Sequence, residues 1–145
     1  MVTADTERLL KTLNAALQPR AEILEAYLFG STATGATHSH SDVDVAVYLA
    51  DRQPTGSVFG YTADLTAALM SVLGTNRVDV VVLNDAPPLL YHRVLRDGQR
   101  ILSRNLRATT TREGYALSRY CDYVPQLAKI EAAHRARIAA ARFGR

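Results

Sequence analysis

Two apolar runs separated by a polar loop constrain the fold of this chain most strongly. The first run, residues 23–29, ends at Gly30, and the second, residues 42–49, opens with Asp42 and Asp44 one residue apart. Because side chains alternate between the two faces of a strand, the carboxylates are expected on one face and the valines between and after them in a core. Two neighbouring carboxylates repel each other, and a divalent cation removes that repulsion. The pattern therefore predicts two strands and a site for metal and phosphate.

The size and composition of the chain indicate one globular domain. Its 145 residues, 48% apolar and 21% charged, are enough to bury a real core. The apolar runs are too short to span a bilayer, and the N-terminal residues lack a secretory signal pattern. The single cysteine, Cys121, excludes an internal disulfide and a multi-cysteine zinc site. We therefore expect a cytoplasmic protein with no membrane association.

Strand and helix patterns alternate along most of the chain. The predicted strands are residues 23–29, 42–49, 78–83 and 99–103, with the last at an edge of the sheet. The predicted helices are residues 4–18, 61–73, about 84–97, and 112–142 with an interruption near Pro125. This order predicts an α/β (α+β) fold with a mixed sheet of about four strands and flanking helices. Residues 1–104 are expected to form this domain, and residues 105–145 a mostly helical, basic C-terminal extension.

The charge of the chain is unevenly distributed. The net charge is +3, but residues 1–86 hold only 5 of the 17 basic residues and 10 of the 14 acidic ones. The excess of positive charge after residue 86 indicates either an interaction surface or a solvated arginine-rich helix. A sparse nucleic-acid surface is a further interpretation, but helix packing or a protein contact is favoured, and direct nucleic-acid binding is not expected. The residues concerned are Arg112, Tyr115, Arg119, Tyr120 and Tyr123.

The Gly30-Ser31 pair follows a predicted strand and opens a short helical turn. Glycine lets the backbone approach a ligand closely, and the free N–H groups at a helix start bind phosphate. The serine hydroxyl adds a donor. A plain turn is the alternative for these two residues taken alone. His38 and His40, in the loop before the carboxylate pair, are either substrate or metal contacts or simply loop residues.

Asp79 is the third candidate for the site. It lies early in a valine-rich run, residues 78–83, where a buried and unpaired carboxylate would be costly. If this strand lies beside the second one, Asp79 completes a cluster with Asp42 and Asp44 that can hold two divalent ions. The alternative role for Asp79 is to cap the preceding turn.

Together these residues resemble a known signature. Gly30-Ser31, ten further residues and Asp42-Val43-Asp44 resemble the GSx10DxD motif of the polymerase β-like nucleotidyltransferase superfamily. With Asp79 the pattern is similar to its small prokaryotic branch, the minimal nucleotidyltransferases. Within that branch, residues 78–102 resemble the MntA antitoxins that are paired with HEPN toxins. The resemblance covers residues 5–103 and implies the polymerase β-like nucleotidyltransferase fold.

The resemblance also implies a reaction and roles for the residues. It implies two bound Mg²⁺ ions, ATP as the substrate, and transfer of AMP to a tyrosine hydroxyl of a cognate HEPN ribonuclease toxin, which silences the toxin. Gly30 and Ser31 would grip the triphosphate, and Asp42 and Asp44 would hold the metals. Asp79 would share one metal and help to deprotonate the acceptor. The chain lacks the arginine–histidine motif of HEPN toxins, so it would be the antitoxin.

One departure from the family pattern bears on nucleotide binding. Many relatives carry an arginine in the turn after the Gly-Ser pair, whereas residues 32–35 here contain none. Either the metals and backbone N–H groups suffice, or a basic residue such as Arg77 reaches in. Two other functions stay open: a small-molecule nucleotidyltransferase of the aminoglycoside-modifying type, and an antitoxin that acts by binding alone.

Overall fold

The chain folds into one mixed sheet with helices on both faces. The computed structural model describes residues 4–30, 33, 42–50 and 58–143. The elements in chain order are α1 (Ala4–Leu17), β1 (Ile23–Phe29), β2 (Val43–Leu49), α2 (Val58–Leu73), β3 (Val78–Val82), α3 (Pro88–Asp97), β4 (Gln99–Ser103) and α4 (Leu106–Phe143). The four expected strands are confirmed, with β2 beginning one residue after Asp42.

The sheet has the strand order β3-β2-β1-β4. β1 pairs antiparallel with both β2 and β4, whereas β2 and β3 are parallel. A parallel pair needs a crossover connection, and α2 supplies it. This topology confirms the predicted mixed sheet with flanking helices and the position of the last strand at an edge.

Each face of the sheet packs on its own core. Val43, Val45 and Val47 point to one face, where they meet α1 and α2 through Leu13, Leu17, Leu65 and Leu69. The other face carries Tyr27, Phe29 and Ala46, which pack on Tyr91 and Val94 of α3 and on Ala116 of α4. The alternation predicted for the second strand is thus observed, and the helix α4 shares the face of the sheet to which even-numbered residues of β2 point.

The last helix differs from its prediction in two ways. It begins at Leu106 rather than Arg112, and it continues through Pro125 without a break. The early start has a packing cause, because Thr109 in the second turn is fully buried against the sheet. A proline inside a helix removes one hydrogen bond, which a helix of 38 residues tolerates at a local cost. The predicted division of the chain at residue 104 stays a prediction.

A buried ion pair fixes the start of α4 to the middle of the sheet. Glu25 of β1 is fully buried, and the Arg112 guanidinium donates to it twice, from Nε at 2.7 Å and from Nη2 at 2.6 Å. Thr109 donates a further hydrogen bond to Glu25 at 3.1 Å, so its single hydroxyl proton is used and Ser103 must donate to Thr109 at 2.7 Å. The Arg112 guanidinium also lies 5.0 Å from the centre of the Tyr48 ring. Arg112 is therefore a structural residue and not part of a nucleic-acid surface.

Loss of Arg112 should destabilise the whole domain. Arg112→Met leaves the Glu25 carboxylate buried and unpaired, and we expect a loss of about 3 kcal/mol in the free energy of unfolding, measured by urea denaturation. The matched control is Arg96→Met, which removes an exposed pair with Asp97 and should leave the midpoint of urea denaturation almost unchanged. Equal losses in the two variants would contradict a stabilising role for the buried pair.

Candidate functional site

The structure places Gly30 against one of the predicted catalytic carboxylates. β1 ends at Phe29, which pairs with Asp44 of β2, and Gly30 follows with a positive φ of 78°. A Cβ atom built on Gly30 would collide with the Asp44 carboxylate. The backbone conformation therefore favours glycine here, and any larger residue would in addition have to displace the Asp44 carboxylate.

The turn after Gly30 is described only in part. Ala33 is helical and buried, and its N–H donates to the Gly30 carbonyl at 3.2 Å. Ser31 lies outside the described residues, as do His38 and His40. The role of Ser31 as a phosphate ligand and the alternatives for the two histidines stay predictions.

The parallel pairing of β2 with β3 brings the remaining carboxylates together. Asp44 lies directly opposite Asp79 in the register of these strands. Asp42 immediately precedes β2, and the next residue, Val43, donates its N–H to the Arg77 carbonyl at 2.8 Å. The condition set by the sequence, that the third strand lies beside the second, is confirmed. The three carboxylates therefore share one end of the sheet.

The electrostatics of Asp44 reflect this arrangement. Burial raises the pKa of its carboxyl above the ordinary value of 3.8, and the negative charges of Asp79 and Asp42 raise it further, in that order. A raised pKa in the folded state means that the folded chain binds a proton more tightly than the unfolded chain. Stability of the metal-free protein is therefore lost as the pH rises from about 3.8 and Asp44 ionises. The folded state tolerates this charge rather than gaining from it.

The environment of Asp79 differs from the sequence-based expectation. The carboxylate was expected in a buried strand, but Asp79 is exposed because β3 is an edge strand with Asp79 near its start. Burial therefore gives no reason for an ion at Asp79. The mutual repulsion between Asp79 and Asp44 does give a reason for an ion there. The exposure of Asp79 also leaves the site open to a ligand from solvent.

The donor chemistry of the site fits a hard divalent cation. Carboxylate oxygens are the ligands that Mg²⁺ prefers, and the absent side chain of Gly30 leaves room beside Asp44. Within residues 4–30, 33, 42–50 and 58–143, no three His, Cys, Asp or Glu side chains form a ready-made metal-binding group. The three aspartates are thus close enough to affect one another electrostatically, but their carboxylates do not converge on one ion position.

Sequence reasoning missed a cleft on the α3 and α4 side of the sheet. The cleft has a volume of about 500 Å³ and lies between α3, β4 and α4, with Tyr27, His92, Arg100 and Glu113 among its lining residues. Tyr27 donates to Glu113 at 2.7 Å, and Arg100 pairs with the same carboxylate at 2.7 Å. The contacts join residues up to 86 positions apart, so no local motif signals them.

One aromatic residue of α4 packs on the neighbouring helix, as the sequence favoured. The ring of Tyr120 stacks on His92 with 3.6 Å between centroids and 3° between planes. Tyr115, in contrast, is 69% exposed. The interpretation of these tyrosines as helix-packing residues is confirmed for Tyr120.

The family of the chain follows from comparison with known proteins. Residues 11–107 match the family described as polymerase beta, nucleotidyltransferase, which is more than half of the chain. The chain belongs to this nucleotidyltransferase family. The predicted family, the predicted fold and the expectation of an enzyme are thereby confirmed.

A curated relative narrows the comparison. The protein adenylyltransferase MntA of Shewanella oneidensis (strain MR-1) is 32% identical over 83 residues, which are 57% of this chain and 55% of MntA. The chain thus spans about half the length of the curated relative it matches. This similarity agrees with the resemblance found in the sequence.

Solved structures share the fold. A toxin–antitoxin structure with AMP-PNP superposes with a TM-score of 0.72 at 24% identity, covering 86% of this chain and 98% of that one. A mutant toxin–antitoxin structure that includes MntA gives 0.68 at 25% identity, covering 84% and 94%. A candidate minimal nucleotidyltransferase gives 0.52 at 30% identity, covering 66% and 92%. Across the described residues, no helix is long and apolar enough to cross a membrane.

The contact between Gly30 and Asp44 gives a direct test. Gly30→Ala and Gly74→Ala both place a side chain at positive φ, 78° and 67°, but only Gly30 has a neighbour in the way. We expect Gly74→Ala to cost about 1 kcal/mol of unfolding free energy and Gly30→Ala to cost more, because the Asp44 carboxylate must also shift.

A double variant separates strain from collision. In Gly30→Ala/Asp44→Ala the carboxylate is gone, so the cost of the added methyl group should fall to that of Gly74→Ala. A cost at Gly30 that is independent of residue 44 would contradict the close approach seen in the structure. Chemical denaturation monitored by circular dichroism measures five proteins: the wild type, the three variants and Asp44→Ala, which is the reference for the double variant.

Proposed function

We propose that this chain is a Mg²⁺-dependent protein adenylyltransferase. It would transfer AMP from ATP to a tyrosine hydroxyl of a cognate HEPN ribonuclease toxin in the cytoplasm, and so act as an antitoxin. The observation that supports this most is the placement of Asp44 opposite Asp79 and against Gly30 at one end of the sheet. The similarity to the adenylyltransferase MntA supports the choice of acceptor class.

The three aspartates have distinct environments that suit their proposed roles. Asp42, Asp44 and Asp79 would hold two Mg²⁺ ions, which when bound would activate the acceptor hydroxyl and offset the charge of the leaving pyrophosphate. Asp44 is the partly buried member, and burial together with the charges of Asp79 and Asp42 raises the pKa of its carboxyl. Asp79 is exposed and thus accessible to an acceptor arriving from solvent.

The proposed reaction forms one bond and breaks one. The tyrosine oxygen attacks the α-phosphorus of ATP and forms the new P–O bond, while the bond from that phosphorus to the bridging oxygen breaks and pyrophosphate leaves. The hydroxyl proton passes to the Asp79 carboxylate and then to water. Such proton transfer to a positioned carboxylate is ordinary general base catalysis.

The triphosphate site combines backbone and side-chain groups. Gly30 and Ser31 would bind the triphosphate through backbone N–H groups and the serine hydroxyl, as expected at a helix start. Arg77 is adjacent to Asp42 across the β2–β3 pair, so its side chain starts from the same end of the sheet as the carboxylates. This placement supports Arg77 as the cation that replaces the arginine missing after the Gly-Ser pair. The match to a structure with AMP-PNP supports ATP as the donor.

Transfer of label from ATP tests the proposal. The protein is incubated with the co-encoded HEPN protein, Mg²⁺ and ATP labelled at the α-phosphate, and label on a partner tyrosine is located by mass spectrometry. Asp42→Ala and Asp44→Ala should each reduce the rate at least about 100-fold, because each removes a carboxylate from the metal site. Asp64→Ala, an exposed carboxylate on α2, is the matched control and should retain the full rate.

The alternatives predict other outcomes of the same assay. Toxin neutralisation that survives both Asp variants would show an antitoxin that acts by binding alone. Label that reaches an aminoglycoside but not the HEPN protein would show a small-molecule nucleotidyltransferase. Either result overturns the proposed acceptor.

A further inference from the structure

The helix α4 extends well beyond the sheet on which it begins. Its 38 residues span about 57 Å at 1.5 Å per residue. Its first part is held by the buried Thr109 and Ala116, by the pair of Arg112 with Glu25 and by the stack of Tyr120 on His92. Residues 128–141 are exposed throughout. More than a third of the helix therefore presents all its sides to solvent.

The side of α4 that faces the sheet continues as an apolar ridge along this exposed part. Steps of three or four residues keep side chains on one side of a helix. Starting from Ala116 on the sheet, such steps lead through Tyr120 to a set that we call the distal ridge: Tyr123, Leu127, Ile130, His134 and Ile138. Ile130 is 57% exposed and Ile138 is 47% exposed. The side of α4 that is suited to packing therefore extends beyond the sheet and α3, on which its first part packs.

The charges around the distal ridge discriminate among possible occupants. Residues 118–141 carry four basic side chains (Arg119, Lys129, Arg135 and Arg137) and two acidic ones (Asp122 and Glu131). Two copies of this helix would bring like charges together, which disfavours a homodimer. A surface with carboxylates beside an apolar groove is complementary in charge. The spacing of the ridge fits a groove between helices.

We infer that the distal ridge of α4 docks the acceptor protein, through an apolar groove on that protein that is bordered by acidic side chains. The identity of the acceptor rests on the proposed function. The helix begins on the face of the sheet that also carries Asp44, because Asp44, Ala46 and Tyr48 alternate with the valines of the other core. A protein held by the ridge is tethered to the domain that carries the carboxylates, which raises the effective concentration of its acceptor hydroxyl at that domain.

The first test replaces apolar ridge residues with charge. Ile130→Glu/Ile138→Glu should weaken the Kd for the co-encoded HEPN protein at least 100-fold by calorimetry, whereas Tyr115→Glu should change it less than twofold. Tyr115 is a matched control because it is 69% exposed on the same helix but lies off the ridge. Circular dichroism confirms that each variant is helical.

The second test reverses charge. Arg135→Glu/Arg137→Glu should weaken binding at least tenfold in low salt and less in high salt, because exposed charges are screened. Arg107→Glu, an exposed arginine in the first turn of α4, should leave the Kd within twofold. Charge reversal that leaves binding unchanged overturns the acidic groove.

The same variants distinguish a failure of the proposed reaction from a failure of the proposed docking surface. In the Ile variants the KM for the HEPN protein should rise with the Kd, while the rate at a saturating concentration stays that of the wild type. Binding that depends on the ridge without any transfer of AMP would overturn the proposed function and support the docking surface. Wild-type affinity for the HEPN protein in the Ile variants overturns the docking surface. A ridge-dependent homodimer in analytical ultracentrifugation overturns it as well, as does RNA that competes with the HEPN protein for the ridge.

Discussion

The parallel pairing of β2 with β3 is the constraint on which the candidate site depends. It sets Asp44 opposite Asp79, next to Asp42, and the antiparallel partner β1 delivers Gly30 to the same end of the sheet. The result raises the pKa of Asp44 through burial and through two negative neighbours. An arrangement that costs stability and gains nothing from the protein itself is typical of a binding site for a cation.

Another carboxylate of the sheet, that of Glu25, has its charge compensated by neighbouring side chains. Glu25 is more deeply buried than Asp44, yet two hydrogen bonds from Arg112 and one from Thr109 compensate its charge. The buried Glu25 carboxylate is thus neutralised by side chains of the protein itself. The aspartates of the proposed catalytic site have no such compensation among the contacts described above. The same ion pair fixes the start of α4, so the structural charge also sets the direction in which the exposed helix leaves the domain.

Local patterns predicted the strands and the alternation of β2, because apolar periodicity and turn residues are local properties. The motif spacing predicted the family, and the adjacency of Asp79 to Asp44 was predicted only as a condition. The environment of Asp79 was not predictable, since a valine-rich run does not distinguish an edge strand from a central one. The early start of α4 also depends on distant partners. Thr109 and Arg112 have no distinctive local pattern, and their partner Glu25 lies 84 positions before Thr109 in the chain. Ser31 is outside the described residues, so its role rests on the motif.

Thermal stability across a Mg²⁺ titration tests the central claim, that the aspartates form a cation site, most directly. Without metal at neutral pH, Asp44→Asn should be more stable than the wild type by on the order of 0.5 kcal/mol, because a partly exposed repulsion is removed. Mg²⁺ should stabilise the wild type, by about 2.7 kcal/mol at 100 times its Kd, and should raise the Tm of Asp44→Asn much less. Equal Mg²⁺ shifts in the two proteins, or a wild type that is more stable than Asp44→Asn without metal, would contradict the account.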